Sequence, residues 1–198
     1  MKSTKKRNFS SFTLAEAYKE VKIEELLDWQ VNLKTIKPSD YFYENIKRLK
    51  VFNLTSNETA KELVIDAFLE ESLQAHNNLR AWKEQFIESE SLHGIADYLI
   101  AKRRDYLDLP FLCIVEAKKD DFEQGLAQCL VEMKVCAEAN EKVGKKIDVF
   151  GIVTNGETWK FYKLTKGKSH SSRAFISDAP VDLLGMLGYV FTECEKNI

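Results

Sequence analysis

The segment LPFLCIVEAKK, Leu109 to Lys119, constrains the fold of this chain more than any other. Its apolar residues fall on both parities, with Leu112 and Ile114 on one and Phe111, Cys113 and Val115 on the other. Successive side chains of a strand point to opposite faces. A strand of this kind must therefore be covered on both faces, which calls for helices on either side of a sheet. It runs straight into Glu116 and Lys118, residue types that stay out of interiors unless paired or put to use. A helical pattern follows at once, with Phe122, Leu126, Cys129, Leu130 and Met133 forming an apolar stripe.

The rest of the chain fits around that unit. TLAEAYKEVKIEELLDW opens on a capping-box signature, Thr13 with Glu16 three residues on, and predicts a helix running toward Trp29. SDYFYENIKRLKVF predicts a second helix capped by Ser39. TSNETAKELVIDAFLEESLQ predicts a third, with Thr55, Ser56 and Asn57 as candidate caps. Strand-like runs follow around Phe86 and from Ile95 to Ile100, with Gly94 expected to turn or bulge between them. KIDVFGIVTNGETWKFYKLT predicts a hairpin through Asn155-Gly156. RAFISD suggests an edge strand, and a closing helix starts near Pro180. The expected architecture is α/β with a mixed central sheet. Residues 1–54 are expected to form a helical N-terminal extension and residues 55–198 the α/β domain.

Composition excludes several classes. A net charge of -2 gives no global footprint for nucleic acid or an anionic membrane, so any such surface must be local. No apolar run reaches the roughly 18 residues that span a bilayer. The start, MKSTKKRNFSSF, is basic without an apolar core behind it and is expected to be a frayed arm. Cys113, Cys129, Cys136 and Cys194 are widely spaced, with neither a CxxC nor a Cys/His cluster. They are expected to be buried, reduced thiols of a cytoplasmic protein.

The chemistry concentrates where the apolar strand ends. Glu116 and Lys118 are two apart and share a face. Asp97, in GIADYL, comes from the preceding strand and meets Glu116 if the two strands pair. Two carboxylates and the intervening Ala117 backbone carbonyl would form an all-oxygen cradle for a hard cation such as Mg²⁺. Lys118 would then hold an attacking hydroxide or neutralise charge growing on a phosphate oxygen.

These residues carry a resemblance. Ala96-Asp97 followed by Glu116-Ala117-Lys118 resembles the PD-(D/E)XK motif of the restriction-endonuclease-like nuclease superfamily, with Ala96 in place of the motif's proline. The order of elements over residues 56–165 is similar to that of the superfamily core, in particular the nuclease domain of type I restriction enzyme motor subunits and stand-alone relatives. The resemblance implies a restriction-endonuclease-like three-layer sandwich and a Mg²⁺-dependent hydrolysis of DNA phosphodiester bonds, with Mn²⁺ able to substitute, in a restriction or defence setting. It implies Asp97 and Glu116 as metal ligands and Lys118 as the catalytic lysine. A helix-borne acid, Glu62 or else Glu58, would join the metal. Gln124 and Gln128, four apart on one helical face, would bind a phosphate or orient the lysine. It leaves open a catalytically silent binding or regulatory module of the same fold, working as a homodimer or beside a DNA-translocating subunit.

Blander readings compete. Glu116, Lys118 and Asp97 could form a solvated cross-strand ion pair worth about 0–1 kcal/mol. Lys102, Arg103 and Arg104 read as a solvated turn. The lysines and aromatics of WKFYKLTKGK read as alternation on a half-buried strand rather than a grip on single strands. No GxSxG is present, and GKSH lacks the upstream glycine of a phosphate loop, having Tyr162 there.

Overall fold

The computed structural model describes residues 6–54, 56–118 and 121–198. In chain order the elements are β1 (Arg7–Asn8), α1 (Leu14–Val21), β2 (Leu26–Asp28), α2 (Asp40–Leu49), α3 (Glu58–Leu73), β3 (Leu79–Glu88), β4 (Leu92–Lys102) and β5 (Phe111–Ala117). They continue with α4 (Phe122–Lys142), β6 (Val149–Thr154), β7 (Thr158–Thr165), β8 (Lys168–Ser171), β9 (Phe175–Ile176) and α5 (Pro180–Glu195). The strands form one mixed sheet in the order β1-β4-β5-β6-β7-β8-β2, with β3 on β4 and β9 on β7. β5 and β6 are parallel and joined through α4, whereas β4–β5 and β6–β7 are antiparallel.

Helices cover both faces. On one, α3 and α5 bury Phe68, Leu187 and Phe191 against Tyr98, Val115 and Trp159. On the other, α4 and α1 bury Ala17, Leu130 and Met133 against Leu99, Ile114 and Val153. β5 is buried almost along its whole length, as its two apolar parities require. All four cysteines are buried and free. Trp159, Phe161 and Tyr162 point into the core, which leaves none of them to stack on a nucleic acid. Lys163, among them in sequence, pairs with Asp148 at 2.8 Å.

Helix starts follow local chemistry. Thr13 and Glu16 exchange both hydrogen bonds of a capping box. Ser39 and Asn57 accept from the N–H groups of Phe42 and Ala60. Asn57 is thus the cap of α3, and Thr55 lies outside the described residues. At the hairpin, Asn155 Oδ1 accepts from the N–H groups of Glu157 and Thr158, and Gly156 takes a left-handed φ of 81°.

Four expectations need correcting. α1 stops at Val21, where Lys22 turns left-handed with φ 62°, and the following residues form β2 beside β8 instead of more helix. Residues 1–54 are therefore not purely helical, since β1 and β2 both join the sheet. The basic start is not frayed where it is described: β1 pairs with β4, and Phe9 and Phe12 are buried. Two large apolar side chains outweigh the surrounding charge there; residues 1–5 lie outside the described residues. Gly94 lies inside β4, not at a turn, and the chain reverses at Ser89–Leu92.

The reason for Gly94 is the Phe9 ring, which fills the space a Cβ would need. Gly94→Ala is expected to lower stability by about 1–3 kcal/mol through this overpacking, measured by denaturant unfolding. Phe9→Leu in the same chain should recover part of the loss.

Among the described residues no helix is long and apolar enough to cross a membrane.

Candidate active site

Asp97 and Glu116 meet as the strand ladder implies. Tyr98 stands opposite Val115, and one further step puts Asp97 opposite Glu116 on the α4 face. At this point the Asp97 side chain continues the pairing: its Oδ2 accepts the Ala117 N–H at 2.7 Å. A strand residue's N–H and C=O leave on the same side, so the Ala117 carbonyl also faces the Asp97 side. Lys118 Nζ stands 2.5 Å from Glu116 Oε1. The Lys118 N–H donates to the Thr154 carbonyl at 2.8 Å, which pins the strand end to β6. The Glu116 side chain is fully enclosed, while that of Lys118 keeps 19% of its surface exposed.

A further acid joins them from α4. Glu132 is fully buried, and its Oε1 accepts from Gln128 Nε2 at 3.0 Å. Its charge, like that of Asp97, acts on Glu116. Both Glu116 oxygens and Glu132 Oε2 are buried without an aligned hydrogen bond. Three carboxyl groups thus share one lysine, and their pKa values respond. Burial pushes Glu132 up to about 8. Burial, then Glu132 and Asp97, push Glu116 well above the carboxylate range. Burial also raises Asp97, against the Ala117 N–H and the Lys118 charge, which favour its ionised form. Lys118 would fall through burial, but Glu116 outweighs that and raises it. With no cation added, the cluster holds protons at neutral pH because one ammonium group cannot balance three buried carboxylates.

The remaining expected residues divide. Gln128 is buried behind Glu116 and serves Glu132, since α4 is enclosed by both the sheet and α1. Gln124 donates from Nε2 to the Ser10 carbonyl at 3.0 Å. Glu62 is turned to Lys83, at 3.1 Å, so it stands with Asp66 in a separate ion pair. Glu58, one turn earlier on α3, is the helix acid whose charge acts on both Asp97 and Lys118. Arg104 pairs with Asp108 at 3.5 Å in the loop after β4. Glu132 was absent from the sequence reading. Its signal is an acid set between Val131 and Met133 in a helix that is apolar around most of its circumference.

Gly125 holds the lysine in place. A Cβ there would come within 2.8 Å of Val153 Cγ1 and 2.9 Å of Lys118 Cγ. Gly125→Ala should therefore forgo the roughly 1 kcal/mol that alanine ordinarily adds in a helix. It is expected to leave stability flat or lower and to displace Lys118, read by thermal unfolding together with the Lys118 Nζ chemical shift.

Among the described residues, no group of three or more His, Cys, Asp or Glu side chains is arranged to hold a metal ion. The donor chemistry nevertheless suits one. The oxygens are all hard, two of the acids come from neighbouring strands, and the buried Glu116 oxygens lack aligned donors.

No family model and no solved structure matches the chain. Over 83 residues it is 35% identical to Crinkler effector protein 5 of Phytophthora infestans. The match takes in 42% of this chain and 22% of that protein, so the chain spans about a fifth of the relative's length.

Proposed function

We propose that the chain is a Mg²⁺-dependent nuclease domain of the PD-(D/E)XK, restriction-endonuclease-like type that hydrolyses DNA phosphodiester bonds. One observation carries the reading: Asp97, Glu116 and Lys118 converge at the end of the central strands, around buried carboxylate oxygens that lack aligned hydrogen bonds. Asp97, Glu116 and the Ala117 carbonyl would hold the ion. A bound Mg²⁺ would supply Lewis acidity and a more acidic water.

The chain's own residues do the rest. The Ala117 N–H fixes the Asp97 carboxylate in orientation. The surrounding acids, Glu116 first and then Asp97 and Glu58, outweigh burial and raise the Lys118 pKa, so the lysine acts as a positive charge beside the phosphate or hydroxide rather than as a base. Glu132, braced by Gln128, adds a buried acid that raises the Glu116 pKa. Gln124 is the α4 residue nearest the helix start that can turn from Ser10 to a phosphate oxygen.

The test is titration calorimetry with Mn²⁺ together with plasmid cleavage in Mg²⁺. Carboxylate-dependent binding and cleavage, both lost in Glu116→Ala, are expected. Equal cleavage by Glu116→Ala and the parent would overturn the assignment. A second reading, a silent module of the same fold, draws on the closed Glu116–Lys118 pair and on the lack, among the described residues, of a three-acid ligand group. It predicts no Mn²⁺ binding and DNA binding, if any, that is indifferent to Glu116.

A further inference from the structure

The β3–β4 pair changes face halfway along. Ala96 and Tyr98 are two residues apart, a spacing that puts side chains on one face of a regular strand. Yet Ala96 is buried on the α4 face and Tyr98 on the α3 face. β3 shows the same break: Ala81 packs on the α3 face and Ile87, six residues on, on the α4 face. The hydrogen bonds agree. The Arg103 N–H donates to the Asn78 carbonyl at 2.7 Å, and the Ser89 N–H to the Leu92 carbonyl at 2.9 Å. Residues of an antiparallel ladder exchange such bonds at every second position. Asn78 and Ser89 are an odd number of residues apart, so the ladder slips once between them.

The slip falls at Glu84 and Asp97. They stand opposite each other in the register that joins Lys83 to Tyr98 and Gln85 to Ala96. Glu84 has a left-handed φ of 51°. Among the described residues two other non-glycine residues turn this way, but Lys22 ends α1 and Lys166 lies between β7 and β8; Glu84 does so inside a strand. Its side chain is exposed, so burial does not explain the turn. Such a backbone is unfavourable for a residue with a Cβ. Irregularities of this kind gather beside functional sites, where they re-aim a side chain. The side chain here is that of Asp97. Counted from Ala96 it belongs on the α3 face. Counted from Tyr98 it belongs on the α4 face, where its Oδ2 meets the Ala117 N–H.

We infer that Glu84 is a positioning residue: its left-handed backbone rolls β3 and β4 over together and sets Asp97 on the Glu116 face. It acts through φ and not through its carboxylate. Without the roll, the alternation of Leu92 and Ala96 would run on, and Asp97 would face α3, across the sheet from Glu116. The inference rests on the nuclease reading only for the metal ion that Asp97 would then share.

The experiment compares substitutions that differ in their tolerance of a left-handed φ. Glu84→Gly and Glu84→Asn remove the carboxylate and keep the turn. Glu84→Val removes the carboxylate and resists the turn. Hydrogen exchange of the Ala117 amide and Mn²⁺ affinity by calorimetry are read well below the unfolding temperature of each variant. The Ala117 amide should stay protected in the parent, Glu84→Gly and Glu84→Asn, and exchange about tenfold faster or more in Glu84→Val. Mn²⁺ affinity should hold within about twofold in Glu84→Gly and Glu84→Asn and fall about 10–100-fold in Glu84→Val, the range for losing a group that orients a metal ligand. Glu84→Thr, also β-branched, is read in the same way should Glu84→Val not fold. Equal Ala117 protection in Glu84→Gly and Glu84→Val, whether kept in both or lost in both, would overturn the inference and leave the nuclease reading intact. The expected Ala117 pattern in a chain that neither binds Mn²⁺ nor cuts DNA would uphold the inference and remove the nuclease reading.

Discussion

Lys118→Met is expected to lower Mg²⁺-dependent DNA cleavage by about 10²–10³-fold, the scale on which a single preorganised charge at a reacting centre acts. The lysine is held 2.5 Å from Glu116 on a strand end fixed to β6, so the chain has already met the cost of placing its charge. Metal binding should respond differently. Lys118 is not a ligand in this reading, and removing its positive charge leaves Mn²⁺ affinity unchanged or tighter. Glu116→Gln should lose both affinity and turnover. Calorimetry and cleavage on the two variants therefore separate a charge that acts on the substrate from one that merely balances a buried acid. If Lys118→Met weakens metal binding as much as Glu116→Gln does, the lysine's role is structural and the proposed chemistry fails. Lys118→Arg tests the rest: a bulkier fork in a tight space over Gly125 is expected to restore charge but only part of the rate.

The second large effect belongs to Glu132 and appears in stability. Its carboxyl is raised from 4.5 to about 8 by burial. The folded chain therefore binds a proton there that the unfolded chain releases between those two values. Stability contributed by this group is full below the unfolded pKa and is lost as pH rises through the folded one. Glu132→Gln keeps the shape, can still accept from Gln128 and can donate to Glu116, but has nothing to ionise. The variant is expected to match the parent near pH 4 and to exceed it at pH 9 by roughly 3–5 kcal/mol, the free-energy equivalent of the shift. Urea unfolding at the two pH values measures the gap. A constant difference between the curves would mean that Glu132 is charged in the folded chain already. Glu132→Leu, which removes the hydrogen bond as well, should leave the Gln128 amide unpaired and forfeit much of that gain.

Local pattern was informative where one short segment decides the outcome. The two apolar parities of β5 led to a strand covered on both faces, Asn155-Gly156 to the hairpin, and Pro180 to the start of α5. The spacing of Asp97, Glu116 and Lys118 was enough to expect them on one face. What was not legible depended on contacts between distant segments. Nothing local shows that Phe9 will fill the space above Gly94, or that the residues after Val21 will leave the helix to pair with β8. Nor does anything local show that Lys83, on β3, will pair with Glu62. Gln128 was expected, with Gln124, to bind a phosphate or orient the lysine, because α4 looks amphipathic by itself. With α1 packed on its outer side, that face is interior, and Glu132 is interior with it.

The pairing of β1 with β4 has a practical consequence. Phe9 sits against Gly94, and the next residue, Ser10, offers its carbonyl to Gln124 in the first turn of α4. A short leading stretch therefore ties β4 to α4. Loss of Phe9 and Phe12 would open a hole in the core and loosen the Ser10 carbonyl from Gln124 at the same time.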